Sequence, residues 1–567
     1  MSCLVLSKMS QTDFEDALAK IRPHTTSKQA HQRKPAQLLV ALESTLKEST
    51  KASDTDERNP TAYFAALLTT LEGCISHNDM DLEDGSTLPA ILYLLALVLP
   101  YVPALVLRAH LPKIFQHLPP LLPLVMPAHA PPLRSLISVL GVALGTMDQG
   151  LVYSTMSISS SLGGNLSVGT STSASIRHTF ATILELVLDS RPKVRKRAGE
   201  VVKTVLESPP APLATHPWGS LVAEWSCGVV AQRSAGGGGR EETVESLVHL
   251  MAFLRTIPFI FSTTPVSARG GTGEELRSVE TMTRYLLAMP KLSNPYLTQA
   301  SYQLLTALLT TDGGSEGDVD DDVYTQRKRE QVAAIQRTLL STPTLKADAQ
   351  SGPYWLMALS QATVASRPTA KLQAKVPVDV WTTWQRIWQY LDASCPPTTR
   401  LAAGEALCNL VQGGCIKWEH LAGLSGPTKG VPIKPLLDSI EKSLGQLAYA
   451  SSIGQILEVL TTLAKYSSPL NTSAGRDFSS DPATIHQRMK SSHPLIPLLD
   501  TMAKLRISKG FDYKGDVDKF LAAMIGAVGV DTVIERIPLG ILPKERLAPF
   551  LHRNHGILTT VLNVGAP

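Results

Sequence analysis

The stretch FATILELVLDSRPKVRKRAGEVVKTVL, residues 180–206, decides the fold. Its apolar residues recur at helical spacing in two blocks, Leu184, Val187 and Leu188 in the first and Val194, Ala198, Val201, Val202 and Val205 in the second. Between the blocks, Asp189-Ser190-Arg191-Pro192 has the composition of a turn, and proline suits the first position of a helix. The stretch therefore predicts two helices joined by a short turn.

Three further stretches follow the same plan along the chain. Residues 387–411 repeat it with a turn two residues longer, keeping the order Asp392, Pro397, Arg400, Ala403 and Leu407. Residues 285–309 place Asn294-Pro295 between two apolar helices, and residues 436–464 keep a helical period. Recurrent helical hairpins predict an array in which each pair buries its apolar face against its neighbours.

The composition agrees with packed helices. Of 567 residues, 44% are hydrophobic but only 5% are aromatic, so the core is built from Leu, Ala and Val. The net charge of +4 is too small to predict nucleic-acid binding by itself. Six irregularly spaced cysteines and the absence of an extended apolar run at the N-terminus indicate reduced thiols in a cytosolic or nuclear protein.

Residues 88–107 form an uncharged stretch that is about long enough to cross a bilayer. Prolines at positions 89, 100 and 103 divide it, and prolines recur at short intervals as far as Pro132. A buried helical hairpin is therefore favoured over a membrane span. Low-complexity surface insertions are expected at residues 157–175, 234–239, 262–275, 312–322 and 467–483.

Several patterns resemble catalytic or metal sites without the necessary context. Gly313-Gly314-Ser315-Glu316-Gly317 has hydrolase spacing, but it lies in an acidic loop with no preceding strand. Cys395, Cys408, Cys415 and His420 lack paired C-x-x-C spacing, so core thiols are favoured over zinc. The segment Gly423 to Lys429 lacks the Gly-Lys-Ser/Thr order of a phosphate-binding loop. We predict no enzyme activity, no cofactor and no metal.

Trp381, Trp384 and Trp388 recur at helical spacing, with Arg386 among them. Such a stripe could stack nucleic-acid bases, but it is more often a buried helix face, which is the interpretation favoured here.

The strongest local charge signal is Arg191 to Arg197, RPKVRKR, in which five of seven residues are basic. On a helix these side chains cannot all enter the core. We therefore predict an exposed basic edge that binds RNA phosphates or a protein partner such as an import receptor. An ordinary solvated repeat edge remains the alternative. The candidate binding residues are Arg191, Lys193, Lys196, Arg197 and Lys203.

The segment 180–206 resembles the HEAT repeat. In that repeat an Asp in the turn and an Arg in the second helix take part in polar ladders between neighbouring turns, and a small residue follows. Asp189, Arg195 and Ala198 fit these places. The resemblance implies an all-α, HEAT/armadillo-type α-solenoid, a superhelix of antiparallel helix pairs with low-complexity loop insertions.

Two segments, 189–202 (DSRPKVRKRAGEVV) and 522–541 (AAMIGAVGVDTVIERIPLGI), resemble the ribosomal RNA-processing protein 12 family. The second contains Val528-Gly529, Val533-Ile534 and the run Ile537 to Ile541 at the family's spacing. The family's following Trp-containing stretch corresponds only to Arg546 to Arg553, which has no Trp. The resemblance implies the N-terminal part of a ribosome-assembly factor.

From this resemblance we expect four segments. Residues 1–60 would be an N-terminal helical segment with a polar linker, 61–310 HEAT-like repeats, 311–330 an acidic flexible loop, and 331–567 repeats resembling the family's nucleolar-type domain, truncated at the C-terminus.

The expected function is a non-enzymatic scaffold in the nucleus and nucleolus, with shuttling to the cytoplasm. It would support pre-ribosomal RNA processing, small-subunit maturation and nuclear export. The expected partners are pre-ribosomal RNA and particles, ribosome assembly factors and nuclear transport factors, with no membrane and no small-molecule substrate. The alternative is a HEAT-repeat transport receptor or trafficking adaptor that binds proteins only.

Overall fold

The computed structural model describes residues 11–50, 59–77, 81–83, 85–125, 129–156, 172–235, 241–261, 274–311, 322–366, 380–416, 433–466 and 493–537. Within these ranges every regular element is an α-helix or a 3-10 helix, which confirms the all-α prediction. The chain divides into two compact units, residues 1–261 and 262–567.

The first unit contains twelve described α-helices. They are α1 (Gln11–Ala19), α2 (Ala30–Thr50), α3 (Pro60–Ser76), α4 (Thr87–Val98), α5 (Ala104–His117), α6 (Leu122–Val125), α7 (Ala130–Gly145), α8 (Gln149–Met156), α9 (Thr172–Glu185), α10 (Pro192–Glu207), α11 (Trp218–Ala235) and α12 (Glu241–Leu254). Helices α2, α4, α7 and α10 pack side by side in one row, while α3, α5 and α9 form a second row.

The second unit is a run of five helix pairs in the described ranges, followed by one short helix. The helices are α13 (Glu274–Ala288), α14 (Pro295–Thr311), α15 (Asp322–Ser341), α16 (Gly352–Ala365), α17 (Val380–Trp388), α18 (Pro397–Gln412), α19 (Ile433–Leu444), α20 (Ile453–Tyr466), α21 (Leu498–Ile507), α22 (Lys514–Val528) and α23 (Val530–Arg536). The second helices of the pairs, α14, α16, α18, α20 and α22, pack successively against one another.

Short 3-10 segments and prolines make the turns within the pairs sharp. The segments Leu186–Leu188, Met289–Leu292 and Gln389–Leu391 end α9, α13 and α17, respectively. Helices α10, α14 and α18 then begin with proline, whose missing N–H costs nothing where no helical acceptor exists.

Close packing between neighbouring helices of one row depends on glycine in both units. A Cβ at Gly141 of α7 would lie 2.7 Å from the Val201 methyl groups of α10, and one at Gly404 of α18 would lie 2.9 Å from Gln455 Cβ of α20. Because real Cβ atoms do not approach other atoms so closely, these helices can pack at this distance only if positions 141 and 404 have no side chain.

The predicted repeat 180–206 is confirmed as helix, turn and helix. All five apolar residues named in its second helix are buried, whereas Leu188 of the first stripe is only half-buried. The hairpins predicted at 285–309, 387–411 and 436–464 are also present.

The uncharged stretch 88–107 forms α4, a 3-10 turn and the start of α5, as the hairpin interpretation predicted. Within the described ranges, one helical segment is long and apolar enough to cross a membrane: Leu447–Tyr466, which joins the 3-10 segment Leu447–Ser452 to α20. Helices α7 and α8 pass the same criterion only as a bent pair. Leu457, Leu460 and Leu463 of the segment Leu447–Tyr466 are fully buried between neighbouring helices, as in a protein core.

The structure divides the chain at a different place from the predicted segments. The boundary between the units follows Phe261, and α15 begins at Asp322, so the described part of the acidic segment 311–330 is helical from that residue. An insertion between two helix pairs does not interrupt their stacking, which explains why it marks no unit boundary. Most of the other predicted insertions lie outside the described residues, although residues 172–175, 234–235 and 274–275 are helical.

Candidate nucleic-acid interface

The five predicted binding residues lie on the turn before α10 and on α10 itself, and their environments differ. Val194, Ala198 and Val202 bury one side of this helix, so the charged residues project from the other. Lys193 and Lys196 are exposed, while Arg191, Arg197 and Lys203 are partly covered. The structure therefore separates exposed lysines from cations that are partly covered and hydrogen-bonded or paired within the unit.

Arg191 is engaged by its own turn. Its Nε and Nη2 donate to the two carboxylate oxygens of Asp189 at 2.8 and 2.7 Å, and its backbone N–H also donates to Asp189 Oδ1 at 2.8 Å. These bonds from the Arg191 guanidinium lower the pKa of the Asp189 carboxyl and raise that of Arg191. A bidentate pair of this kind closes the turn and leaves Arg191 little net charge for a partner.

Arg195 also serves the turn that precedes α10. Its Nη1 donates to the carbonyl of Asp189 at 2.8 Å. Arg400 of α18 does the same in its own pair, donating to the carbonyl of Cys395 at 2.5 Å. The hydrogen bonds given for Asp189 and Arg195 among the described residues close the turn of their own repeat, while the ladder between neighbouring turns that the resemblance implies stays a prediction.

Arg197 connects two repeats. Its Nε donates to Ser138 Oγ on α7 at 2.7 Å, and its Nη1 lies 3.2 Å from Glu200 Oε2 on its own helix. The link to Ser138 could not be found from sequence, since 59 residues separate the partners.

Three lysines project from α10 with long ion pairs or none, and we call the exposed Lys193 and Lys196 together with the partly covered Lys203 the α10 basic face. Lys193 has no ion pair among the described residues. Lys196 Nζ lies 4.0 Å from Glu200 Oε1 with its side chain 80% exposed, and Lys203 Nζ lies 3.7 Å from Glu207 Oε1. Exposed pairs at these distances hold a lysine only weakly, so a phosphate could displace the carboxylate.

The spacing of the α10 basic face suits a polyanion better than a single small anion. Ten residues of helix separate Lys193 from Lys203, which is about 15 Å along the axis. Glu200 and Glu207 stand between and beyond these lysines, a pattern visible in sequence as Lys-to-Glu spacing of four.

The fold also limits how a protein receptor could recognise residues 191–197. Val194 is fully buried, and Arg191, Arg195 and Arg197 are bound within the unit. A receptor that requires an extended basic peptide would therefore have to unfold α10. The geometry favours recognition of the folded helix surface.

The tryptophan stripe is core. Trp384 and Trp388 are buried with stacked rings 5.9 Å apart, and Trp388 Nε1 donates to Ser443 Oγ at 3.2 Å. Trp381 is half-buried at the edge. A base-stacking platform on these rings would require the helix to leave its neighbours.

The cysteines proposed as core thiols are buried in the structure. Cys395, Cys408 and Cys415 are buried and not in disulfides, and burial raises the pKa of the Cys408 thiol to about 11. Within the described ranges no group of three potential metal ligands occurs. His420, Gly313 to Gly317, Gly423 to Lys429 and Arg546 to Arg553 lie outside the described residues.

The family-like segment 522–541 contains a glycine whose position the backbone conformation explains. Gly529 joins α22 to α23 with a φ of 90°, a backbone conformation that favours glycine. Val528, Val533 and Ile537 around it are buried. Pro538 to Ile541 lie outside the described residues.

Comparisons with known proteins give two family matches. The family described as "RRP12-like, N-terminal HEAT repeats" matches residues 7–268, and "Ribosomal RNA-processing protein 12, HEAT repeats" matches residues 393–550. The α10 basic face lies inside the first match.

A curated relative and a solved structure are also similar to the chain. Ribosomal RNA-processing protein 12 of Saccharomyces cerevisiae is 28% identical over 309 residues, which is 53% of this chain and 23% of the yeast protein. The match thus spans less than a quarter of the relative's length. The crystal structure of She4p covers 98% of this chain and 79% of its own at 12% identity, but its TM-score of 0.24 supports no inference.

Proposed function

We propose, from the premise that this chain belongs to the RRP12-like family of HEAT-repeat proteins, that it is a non-enzymatic scaffold in ribosome biogenesis. The name of its yeast relative refers to ribosomal RNA processing. A stack of helix pairs offers a long surface on which partners can bind.

The α10 basic face is the proposed contact with pre-ribosomal RNA. The observation that carries this proposal is the exposure of Lys193 and Lys196, of which the first has no carboxylate partner among the described residues. Lysine ammonium groups bind phosphates as point charges and release counterions, so affinity should fall steeply with salt. Arg191 and Arg197 were also predicted as binding residues. In this proposal they support the surface instead: Arg191 closes the turn before α10, and Arg197 joins α10 to α7.

In the cell, this scaffold would accompany pre-ribosomal particles in the nucleolus and nucleus. It would support small-subunit maturation and nuclear export by binding assembly factors and transport factors, with shuttling to the cytoplasm. These roles rest on the family relationship.

A protein-only adaptor is the second candidate. Glu200 and Glu207 on the same side of α10 offset part of its positive charge, as in many protein-binding surfaces. Such an adaptor would bind its partners without the RNA salt dependence.

The test measures binding of a labelled pre-ribosomal RNA fragment to the full chain at several salt concentrations. Changing Lys193, Lys196 and Lys203 together to Gln should weaken binding by about tenfold or more and reduce the salt slope by about 0.7 for each lost contact. Arg197 stays unchanged because its bond to Ser138 supports the fold.

The matched control changes Lys291, Lys465 and Lys504 to Gln, which removes the same charge from exposed positions of the second unit. RNA affinity should then change little. Equal losses in both variants would contradict a site on α10, and no salt-dependent RNA binding by the unchanged chain would favour the adaptor.

A further inference from the structure

Helices α7 and α10 lie side by side in the first unit with a fixed register. Arg197 Nε on α10 donates to Ser138 Oγ on α7 at 2.7 Å, and a Cβ added at Gly141 would lie 2.7 Å from the Val201 methyl groups. The second contact lies one turn further along both helices, so α7 and α10 run parallel. Residues one turn before the first contact therefore also lie opposite each other.

Arg134 occupies the position one turn before Ser138, on the side of α7 that faces α10. The Ser138 hydroxyl donates to the Arg134 carbonyl at 2.7 Å, a bond across a single helical turn. Lys193 takes the equivalent position on α10, one turn before Arg197. Because packed helices lie about 8 to 10 Å apart, the two cations stand opposite each other across the junction of two repeats. We call Arg134 and Lys193 the junction pair.

Neither cation of the junction pair has a carboxylate partner in the described part of the chain. Arg134 is half-buried, and its Nε is covered by neighbouring atoms without a hydrogen-bond acceptor among the described residues. Part of its hydration has therefore been removed without a negative group to compensate for it. Two such cations facing each other also repel, so an anion held between them would relieve both costs.

The acidic groups of this region are engaged elsewhere. Helix α7 contains no acidic residue. On α10, Glu200 Oε2 lies 3.2 Å from Arg197 Nη1, and Glu207 Oε1 lies 3.7 Å from Lys203 Nζ. In the turn before α10, Asp189 is held by Arg191. The junction pair thus keeps its positive charge at the surface.

The chemistry of the junction pair suits a phosphate. A guanidinium presents its N–H groups in a planar fork and an ammonium is a point charge, so the free oxygens of one phosphodiester can accept from both. Neither α7 nor α10 exposes a large apolar side chain. A protein partner usually covers an apolar centre at its interface, and this surface offers none. A polyanion with charged groups along its backbone fits it better.

We infer that Arg134 and Lys193 together hold one backbone phosphate of a bound RNA, across the junction between two neighbouring repeats. The inference rests on the proposed function and deepens it: it adds a cation of α7 to the α10 basic face and assigns two side chains to the same phosphate. This site exists only where the two repeats are stacked, so RNA binding there requires the folded first unit. Phosphate contacts carry no sequence information, and we expect the site to accept any RNA sequence.

The probe is a fluorescein-labelled, single-stranded oligouridine of roughly 20 nucleotides, titrated with the full chain at several salt concentrations. Arg134→Gln should weaken binding by about fivefold and reduce the salt slope by about 0.7, the value for one lost phosphate contact on a single strand. Arg134→Lys should restore the slope because it restores the charge. The matched control Arg233→Gln removes a half-buried arginine of α11 in the same unit and should change neither quantity.

A double-variant cycle tests whether the two cations share one phosphate. Arg134→Gln combined with Lys193→Gln should lose less affinity than the product of the two single losses, because a phosphate released by one cation is no longer positioned for the other. Lys193 is exposed, so its substitution leaves the packing of α7 intact. The control cycle combines Arg134→Gln with Lys203→Gln. Lys203 lies about 15 Å along α10 from Lys193 and faces a different phosphate, so these losses should multiply.

Four results would overturn the inference. If Arg134→Gln behaves like Arg233→Gln while the triple lysine variant of α10 loses affinity, the proposed function stands without Arg134. Losses that multiply in both cycles would place the two cations on different phosphates, and an affinity loss with an unchanged salt slope would leave Arg134 a packing role. A labelled polyglutamate that binds as tightly as the oligouridine, and loses as much in Arg134→Gln, would assign the pair to an acidic protein. Absence of oligouridine binding by the unchanged chain would overturn the proposed function as well.

Discussion

Arg197 Nε on α10 and Ser138 Oγ on α7 are joined by a hydrogen bond of 2.7 Å. This bond ties the helix that carries the α10 basic face to the preceding repeat. Val201, one turn further along α10, fills the space that Gly141 of α7 leaves open. The orientation of the exposed lysines is therefore set by contacts between repeats.

Replacing Arg197 with Met should lower the free energy of unfolding of the first unit by about 1 kcal/mol. A charged hydrogen bond contributes about 1.5 to 3 kcal/mol, and the partial exposure of Arg197 reduces that contribution. Urea unfolding followed by circular dichroism measures the change. Lys196→Met, at a side chain 80% exposed, is the control and should have little effect; a similar shift in both variants would show that the Ser138 bond adds nothing.

Ala198→Asp should unfold its repeat, lowering the free energy of unfolding by more than about 3 kcal/mol. Ala198 is fully buried between helices, so a carboxylate there would lose its hydration without a partner. Thr204→Asp adds the same group at an exposed position of α10 and should be tolerated. An unchanged melting temperature for Ala198→Asp would contradict the close packing of α10.

Gln336→Leu should destabilise the second unit by about 1 to 3 kcal/mol. The Gln336 side chain is buried, and its Nε2 donates to Thr363 Oγ1 at 3.0 Å and to Thr383 Oγ1 at 2.9 Å, joining α15, α16 and α17. Loss of the amide leaves two buried hydroxyls without this donor. Adding Thr363→Val and Thr383→Val should restore much of the loss in a urea titration, since neither of these two hydroxyls is then left buried without the Gln336 donor. A triple variant less stable than Gln336→Leu would argue against the network.

Because two histidines are buried, we expect the free energy of unfolding to fall on mild acidification. His216 Nδ1 accepts the Trp218 backbone N–H, and His493 Nδ1 accepts that of Leu495, both at 3.2 Å. Burial lowers the pKa of each to about 4, below the usual value near 6.5. The folded chain thus binds fewer protons than the unfolded chain, and this stabilisation, complete above pH 6.5, is lost as the pH falls towards 4.

The measurement is unfolding free energy between pH 7 and 4.5, where carboxylates of lowered pKa such as Asp189 and Asp348 stay charged. His216→Asn with His493→Asn keeps an acceptor for each N–H but does not titrate, so the slope should flatten. His178, exposed on α9, provides the control substitution His178→Asn, which should leave the slope as it is. An equally steep slope in the double variant would assign the effect to other groups.

The sequence by itself determined the secondary structure and the repeat. The apolar spacing in 180–206, the proline that begins each of three second helices and the buried positions Val194, Ala198 and Val202 follow from local periodicity, because a helix repeats every 3.6 residues whatever surrounds it. The same spacing predicted the lysines of α10 as surface residues. The weak Lys196 to Glu200 pair was visible in sequence as well.

Only the tertiary structure decided which charges are available and which turns meet. Arg197 is engaged because Ser138, 59 residues earlier, lies beside it, and no local pattern encodes that distance. Asp189 and Arg195 close their own turn, while Tyr390 joins its turn to that of Thr344. Leu345 and Leu447 look like core residues in sequence but are exposed, because short turns project them away from the helices that bury their neighbours. Burial and pairing depend on the stacking of repeats, which brings distant segments to a fixed separation.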